Sequence, residues 1–179
     1  MIKKLTIPVD HGNRNMKTTH FLFTTGLSST DRKPAGREDF LQTDGKFYVL
    51  SDKRIPYQRD KTQDERFSIL TRFAIAKELE RTGQVTEEDV VQVSLPIGVP
   101  PKHYSELAER YREYFLGDGK MQNLVYNGRT YHICIQDVAV YPQAYAAMMT
   151  EGEKIRQIPK AVGIDIGGFT SDFLLMRSG

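Results

Sequence analysis

The chain closes on "AVGIDIGGFTSDFLLM", residues 161–176. Two apolar stretches flank a Gly-Gly-Phe-Thr-Ser turn, and an acid stands at each end of it, Asp165 and Asp172. This composition predicts a strand, a tight turn and a second strand. A segment far away repeats the design. "VDHGNRNMK", residues 9–17, sets Asp10 at the end of a strand, then Gly12, then small polar residues, then another strand. Either hairpin alone is ordinary; two of them near opposite ends of the chain suggest a single purpose.

A phosphate chain is held well by a tight turn whose backbone N–H groups converge. Glycine suits such a turn because it tolerates positive φ and puts no Cβ between backbone and ligand. An aspartate cannot itself touch phosphate, since like charges repel, but it can bind Mg²⁺ through the waters that this ion retains. Lys17 stands seven residues after Asp10 and can reach back across its hairpin to a phosphate oxygen. Positioned phosphates, supplied charge and an oriented water are what phosphoryl transfer needs. Neither segment ends in the Gly-Lys-Ser/Thr of a Walker A loop.

The bulk composition is compatible with this chemistry. A chain of 179 residues fits one domain or two small ones. With 39% hydrophobic and 27% charged residues it has the make-up of a soluble, folded protein. The net charge of +2, with cations and acids interleaved, gives no basis for direct nucleic-acid binding. No apolar run approaches the roughly 18 residues of a membrane span, and Pro8 and Asp10 interrupt any signal-peptide core. Cys134 stands alone, and the four histidines (His11, His20, His103, His132) lack zinc-site spacing. A cytoplasmic protein with no membrane partner is the default expectation.

Along the chain, "LTIPV" and "MKTTHFLF" predict an opening hairpin, residues 26–45 a polar loop with at most an edge strand, and "DGKFYVLS" a turn and a short strand. Apolar residues at three- and four-residue spacing predict a helix from Asp64 to Thr82, with Gly83 as its C-cap. "DVVQVSLPIGVPP" reads as a strand buried on both faces and ended by Pro96. Tyr104, Leu107, Ala108, Tyr111 and Phe115 form the stripe of a second helix before Gly117. Asn127-Gly128 between two alternating runs is the strongest hairpin signal, and "PQAYAAMM" predicts a helix opened by Pro142. Together these give an α/β fold with a mixed sheet and flanking helices.

"DIGGFTSD" resembles the second phosphate-binding loop of the actin-like ATPases (ribonuclease-H-like fold), and "DHGNRNMK" resembles their first. Sugar kinases and chaperones share the general pattern. The Asp-x-Gly-x-x-x-x-Lys run of Asp10, Gly12 and Lys17 is similar to that of the bacterial plasmid-segregation actins of ParM type. "VVQVSLPIGVP" looks like the strand between the family's loops, and "VYPQAYAAM" like its hairpin-to-helix junction. The resemblance implies ATP and Mg²⁺ as cofactors. Asp10 and Asp165 would hold Mg²⁺ through water, and Asp165 would also help polarise the attacking water. The backbone at Gly12, Asn13, Asn15, Gly167, Gly168, Phe169 and Thr170 would cradle the phosphates, with Lys17 as a point charge. Gln143 would orient the hydrolytic water. Phe169 departs from the Gly or Thr usual in the family.

The same resemblance maps residues 1–158 to domain I of the family, with a small inserted subdomain at about 26–85, and residues 160–179 to the first strand pair of domain II. The chain is then expected to be part of a longer protein, binding ATP weakly and hydrolysing it very slowly or not at all by itself. Self-association into filaments for DNA segregation is implied, with DNA reached through a DNA-binding adaptor. The alternatives are a kinase of the same superfamily acting on a small substrate and a non-catalytic half-molecule that binds a partner.

Overall fold

The computed structural model describes residues 1–36 and 39–177. Two residues within the expected subdomain, 37–38, and the last two of the expected strand pair, 178–179, lie outside the described residues. The elements in chain order are β1 (Ile2–Thr6), β2 (Asp10–His11), β3 (Asn15–Lys17), β4 (Leu22–Thr24), β5 (Leu27–Thr30), β6 (Phe40–Thr43), β7 (Lys46–Leu50), α1 (Arg66–Thr82), β8 (Val90–Val99), α2 (Tyr104–Leu116), β9 (Gln122–Tyr126), β10 (Arg129–Pro142), α3 (Tyr145–Thr150), α4 (Gly152–Arg156), β11 (Lys160–Ile166) and β12 (Ser171–Arg177).

A seven-stranded mixed sheet in the order β1-β8-β10-β9-β6-β7-β5 is the frame. Strands β1, β8 and β10 run parallel, and the remaining pairings are antiparallel. Along β8, Val91, Val93, Leu95, Ile97 and Val99 are buried, while the residues between them are half-buried. The strand therefore alternates rather than being buried equally on both faces, and it runs through Pro96 instead of ending there. Proline is tolerated because the Pro96 carbonyl accepts from the Val9 N–H at 3.0 Å. The donor it lacks would point to that same side, where β1 has already ended and only a Val9–Ile97 bridge continues.

One face of this sheet meets the helices. Phe67, Leu70, Phe73 and Ala74 of α1 and Leu107, Tyr111 and Phe115 of α2 are buried there with the apolar residues of β8 and β10. Gly83 closes α1 in the left-handed conformation (φ 62°), as a C-cap glycine does. Both tight hairpins use the positive φ that their sequences offer: Asp44 and Gly45 at 50° and 77°, Asn127 and Gly128 at 51° and 86°.

Four further segments differ from the sequence expectation. "MKTTHFLF" is two strands, β3 and β4, around a turn in which the Thr18 N–H donates to the Phe21 carbonyl. The body of "LTIPV" joins β8, so the opening hairpin is the small sheet β2-β3-β4. Residues 26–45 contribute β5 at the sheet edge and also β6 inside it, because "FLQT" pairs with β7 on one side and β9 on the other. Pro142 ends β10 opposite Val99; the ladder continues into the Gln143 N–H, and α3 starts only after Ala144 turns left-handed (φ 65°).

Glu78 of α1 secures the β3–β4 turn. Its buried carboxylate accepts from the Thr18 hydroxyl, the His20 N–H and the His20 ring. Burial opposes its charge, but these bonds outweigh burial and its pKa is lowered. A lowered carboxylate pKa stabilises the fold above the unfolded value, about 4.3, and this contribution is lost as pH falls through the folded value. Glu78→Gln is expected to cost about 1–3 kcal/mol near neutral pH. In urea melts at stepped pH its deficit against the wild type shrinks in acid; a deficit independent of pH would contradict this role.

Candidate functional site

Parallel strands end on a common edge, and ligands of open α/β sheets gather there. In this chain Asp10 follows β1, Pro100 follows β8 and Gln143 follows β10, and the β11–β12 turn faces them. They surround a cavity of about 550 Å³. Every residue singled out in the sequence lines it: Asp10, Gly12, Asn13, Asn15 and Lys17 from the β2–β3 hairpin, Gln143, and Asp165, Gly167, Gly168, Phe169 and Thr170 from the last hairpin. Two turns about 150 residues apart in the chain thus meet across one space.

The turns are built by close backbone approach. Gly12, Gly167 and Gly168 are not at positive φ, so handedness is not why they are glycine. A Cβ on Gly12 would lie 2.4 Å from the Asn15 carbonyl oxygen, and one on Gly168 would lie 2.6 Å from Cβ of Arg14. The first turn is also fastened from behind: the Thr25 hydroxyl donates to the Gly12 carbonyl at 2.7 Å, and its N–H to the Arg14 carbonyl. In the second turn the Gly167 N–H donates to the Thr170 carbonyl at 2.9 Å. Phe169 leans on Tyr57, ring centroids 6.1 Å apart. Gln143 is positioned by its N–H on the Val99 carbonyl and by Gly98, where a Cβ would come within 3.1 Å of its side chain. The last hairpin rests on α3, since a Cβ at Gly163 would press on Met148.

Charge is concentrated here. Asp165 and Asp172 are directly opposed in the β11–β12 ladder, and both line the cavity with Asp10. Like charges opposed across a ladder are unfavourable unless a cation joins them. Lys17 pairs with Asp10 at 3.0 Å, and this bond, aided by Asp165, raises its pKa. Among the described residues no three ligating side chains are grouped tightly enough to grip a metal directly. The carboxylates fit an ion held through water and phosphate oxygens, the manner Mg²⁺ prefers.

Beside Asp10, His11 is wholly buried and stacked on Phe115 at 4.4 Å. Thr71 gives its hydroxyl proton to the Phe67 carbonyl, so at 2.7 Å it accepts from Nε2 of His11, and Nδ1 has no partner among the described residues, which leaves the ring neutral. Burial and then Lys61 lower the His11 pKa well below its ordinary value.

With this geometry in view, the comparisons with known proteins are decisive for the family. The model of the actin-like proteins N-terminal domain matches residues 8–145. The chain belongs to this family. Solved structures agree in fold. The apo ParM protein of pSK41 superposes with a TM-score of 0.77 at 15% identity, over 98% of this chain and 63% of that one. An AlfA filament bound to AMPPNP gives 0.69 at 15%, over 98% and 66%. A 15-stranded ParM filament from Clostridium botulinum gives 0.72 at 17%, over 98% and 59%. The actin-like chain therefore spans less than two thirds of the length of these relatives. No curated protein matches it significantly. Among the described residues no helix is long and apolar enough to cross a membrane.

Several cavity residues carry no signal in the sequence. Tyr57, Arg59, Lys61, Lys102 and His103 lie between the predicted strands and helices, and only the fold brings them to the cavity. For the turns themselves a direct check is available. Gly12→Ala is expected to cost about 1–3 kcal/mol in urea melts, because backbone must move. Gly167→Ala, whose Cβ would meet the Thr170 carbonyl at 3.1 Å, is expected to cost less; the reverse order would refute this geometry.

Proposed function

We propose that the chain is the N-terminal part of an ATP-binding, filament-forming actin-like protein that serves plasmid or DNA segregation. One observation carries this reading: two acid-and-glycine turns from opposite ends of the chain face each other over one cavity at the carboxyl ends of the parallel strands. Residues 1–158 correspond to domain I, with an inserted subdomain at about 26–85, and residues 160–179 to the opening strand pair of domain II. The phosphates lie between the turns, on the backbone of Gly12, Asn13, Asn15, Gly167, Gly168, Phe169 and Thr170. Asp10 and Asp165 hold Mg²⁺ through water, and Lys17 adds charge once its pairing with Asp10 is shared. Gln143, whose amide is neither acid nor base, positions the hydrolytic water; Asp165 polarises it. Filament relatives, one of them AMPPNP-bound, support self-association and nucleotide binding. Contact with DNA runs through an adaptor protein, in keeping with the near-neutral charge.

A second reading has an observation of its own. The outer face of the last hairpin exposes Val162, Ile164, Ile166, Phe173 and Leu175 together. Such a face suits a half-molecule that binds a partner without nucleotide chemistry. Sedimentation with and without Mg-AMPPNP separates the two.

Calorimetric titration with Mg-AMPPNP tests the main reading. Weak but saturable binding is expected, reduced at least about tenfold by Asp165→Asn. Phosphate release from ATP by the chain alone is expected to be very slow or absent. Binding unaffected by Asp165→Asn, or turnover at ordinary enzyme rates, would contradict it.

A further inference from the structure

Lys61 is out of place for a lysine. It opens the short turn of 3-10 helix before α1 and is only 4% exposed, yet it lines the cavity. Its backbone is fixed: its N–H donates to the Tyr111 hydroxyl, and Asp60 before it caps the turn and pairs with Arg110. Its ammonium passes under the first turn and donates to the His11 carbonyl, with the Phe67 ring 5.6 Å away. An ammonium has three N–H donors, and the other two have no acceptor among the described residues.

Among the described residues no carboxylate pairs with this ammonium either. Asp10 and Asp172 act on it only from a distance, and the cation nearest in role, Lys17, already has Asp10. Burial pulls the Lys61 pKa down to about 8, which is the cost of an ion left short of partners. A buried, unpaired charge is among the least favourable arrangements a fold can keep. An anion entering the cavity removes that cost.

We propose that Lys61 binds the terminal phosphate of the nucleoside triphosphate, as a charge-bearing contact separate from Lys17. This rests on the nucleotide reading above. The terminal phosphate is the group that reaches Lys61. The ammonium is buried against the first turn, within electrostatic reach of Asp10 and Asp172, whereas the bulkier nucleoside must stay towards the open side. Two donors remain for phosphate oxygens while the third holds the His11 carbonyl, so binding needs no rearrangement of the first turn.

The test compares Mg-AMPPNP and Mg-ADP binding to the whole chain, followed by amide NMR shifts, for the wild type, Lys61→Met and Lys61→Gln. Lys61→Gln keeps a donor for the His11 carbonyl without the charge. Both variants are expected to lose at least about tenfold in affinity for Mg-AMPPNP and less than about threefold for Mg-ADP. Lys61→Met is also expected to keep or raise the melting temperature without nucleotide, since an apolar chain replaces an unpaired ion. Unchanged Mg-AMPPNP affinity, or equal losses for both nucleotides, overturns the assignment while leaving nucleotide binding intact. A wild-type chain that binds neither nucleotide overturns both.

Discussion

The structure depends on the parallel pairing of β8 with β1 on one side and β10 on the other. Parallel neighbours must end on the same edge, so the three segments that leave these strands have to emerge together. The first becomes the Asp10 turn, the second leads through Pro100 to α2, and the third delivers Gln143. Apolar burial beneath α1 and α2 holds the pairing: Val91, Val93, Leu95 and Ile133 are almost completely inaccessible. Pro96 weakens the ladder only on the side where β1 has already stopped. Residues 7–9 stay beside β8, with the Ile7 and Val9 N–H groups on the Ser94 and Pro96 carbonyls, and lead into the small β2-β3-β4 sheet that carries the first turn.

On that edge, electrostatics and packing oppose one another. Asp10, Asp165 and Asp172 line one cavity, and two of them stand opposite each other in the β11–β12 ladder. Lys17 answers one acid, and Lys61 sits buried without an acidic partner among the described residues. Arrangements of this kind lower stability unless a ligand completes them, which is why ionisable groups in poor surroundings gather at functional sites. The surrounding fold tolerates this because the first turn is tied from behind by Thr25 and the Lys61 backbone by Tyr111.

Where local chemistry decided the structure, the sequence was readable. Asn127-Gly128 and Asp44-Gly45 turn as their types require, Gly83 caps α1, and both acid-and-glycine turns stand where they were expected. Where pairing decided it, local signals misled. "FLQT" has no strand pattern of its own and becomes β6 because β7 and β9 lie on either side. Pro142 looks like a helix start and ends a strand, since the Val99 carbonyl still claims the next N–H. The turn glycines are needed for room rather than for positive φ, a distinction that their residue type alone does not make. Lys61 stood in a run of charged residues with nothing to mark it as buried, because its burial comes from α2 and the first turn.

The central claim is that both turns hold the phosphates of one nucleotide. Amide hydrogen exchange of the chain, with and without saturating Mg-AMPPNP, addresses it directly. The N–H groups of residues 12–15 and 167–170 are predicted to slow together, by at least about tenfold, while the edge strand β5 is unaffected. Protection of one turn without the other, or of neither, would contradict it.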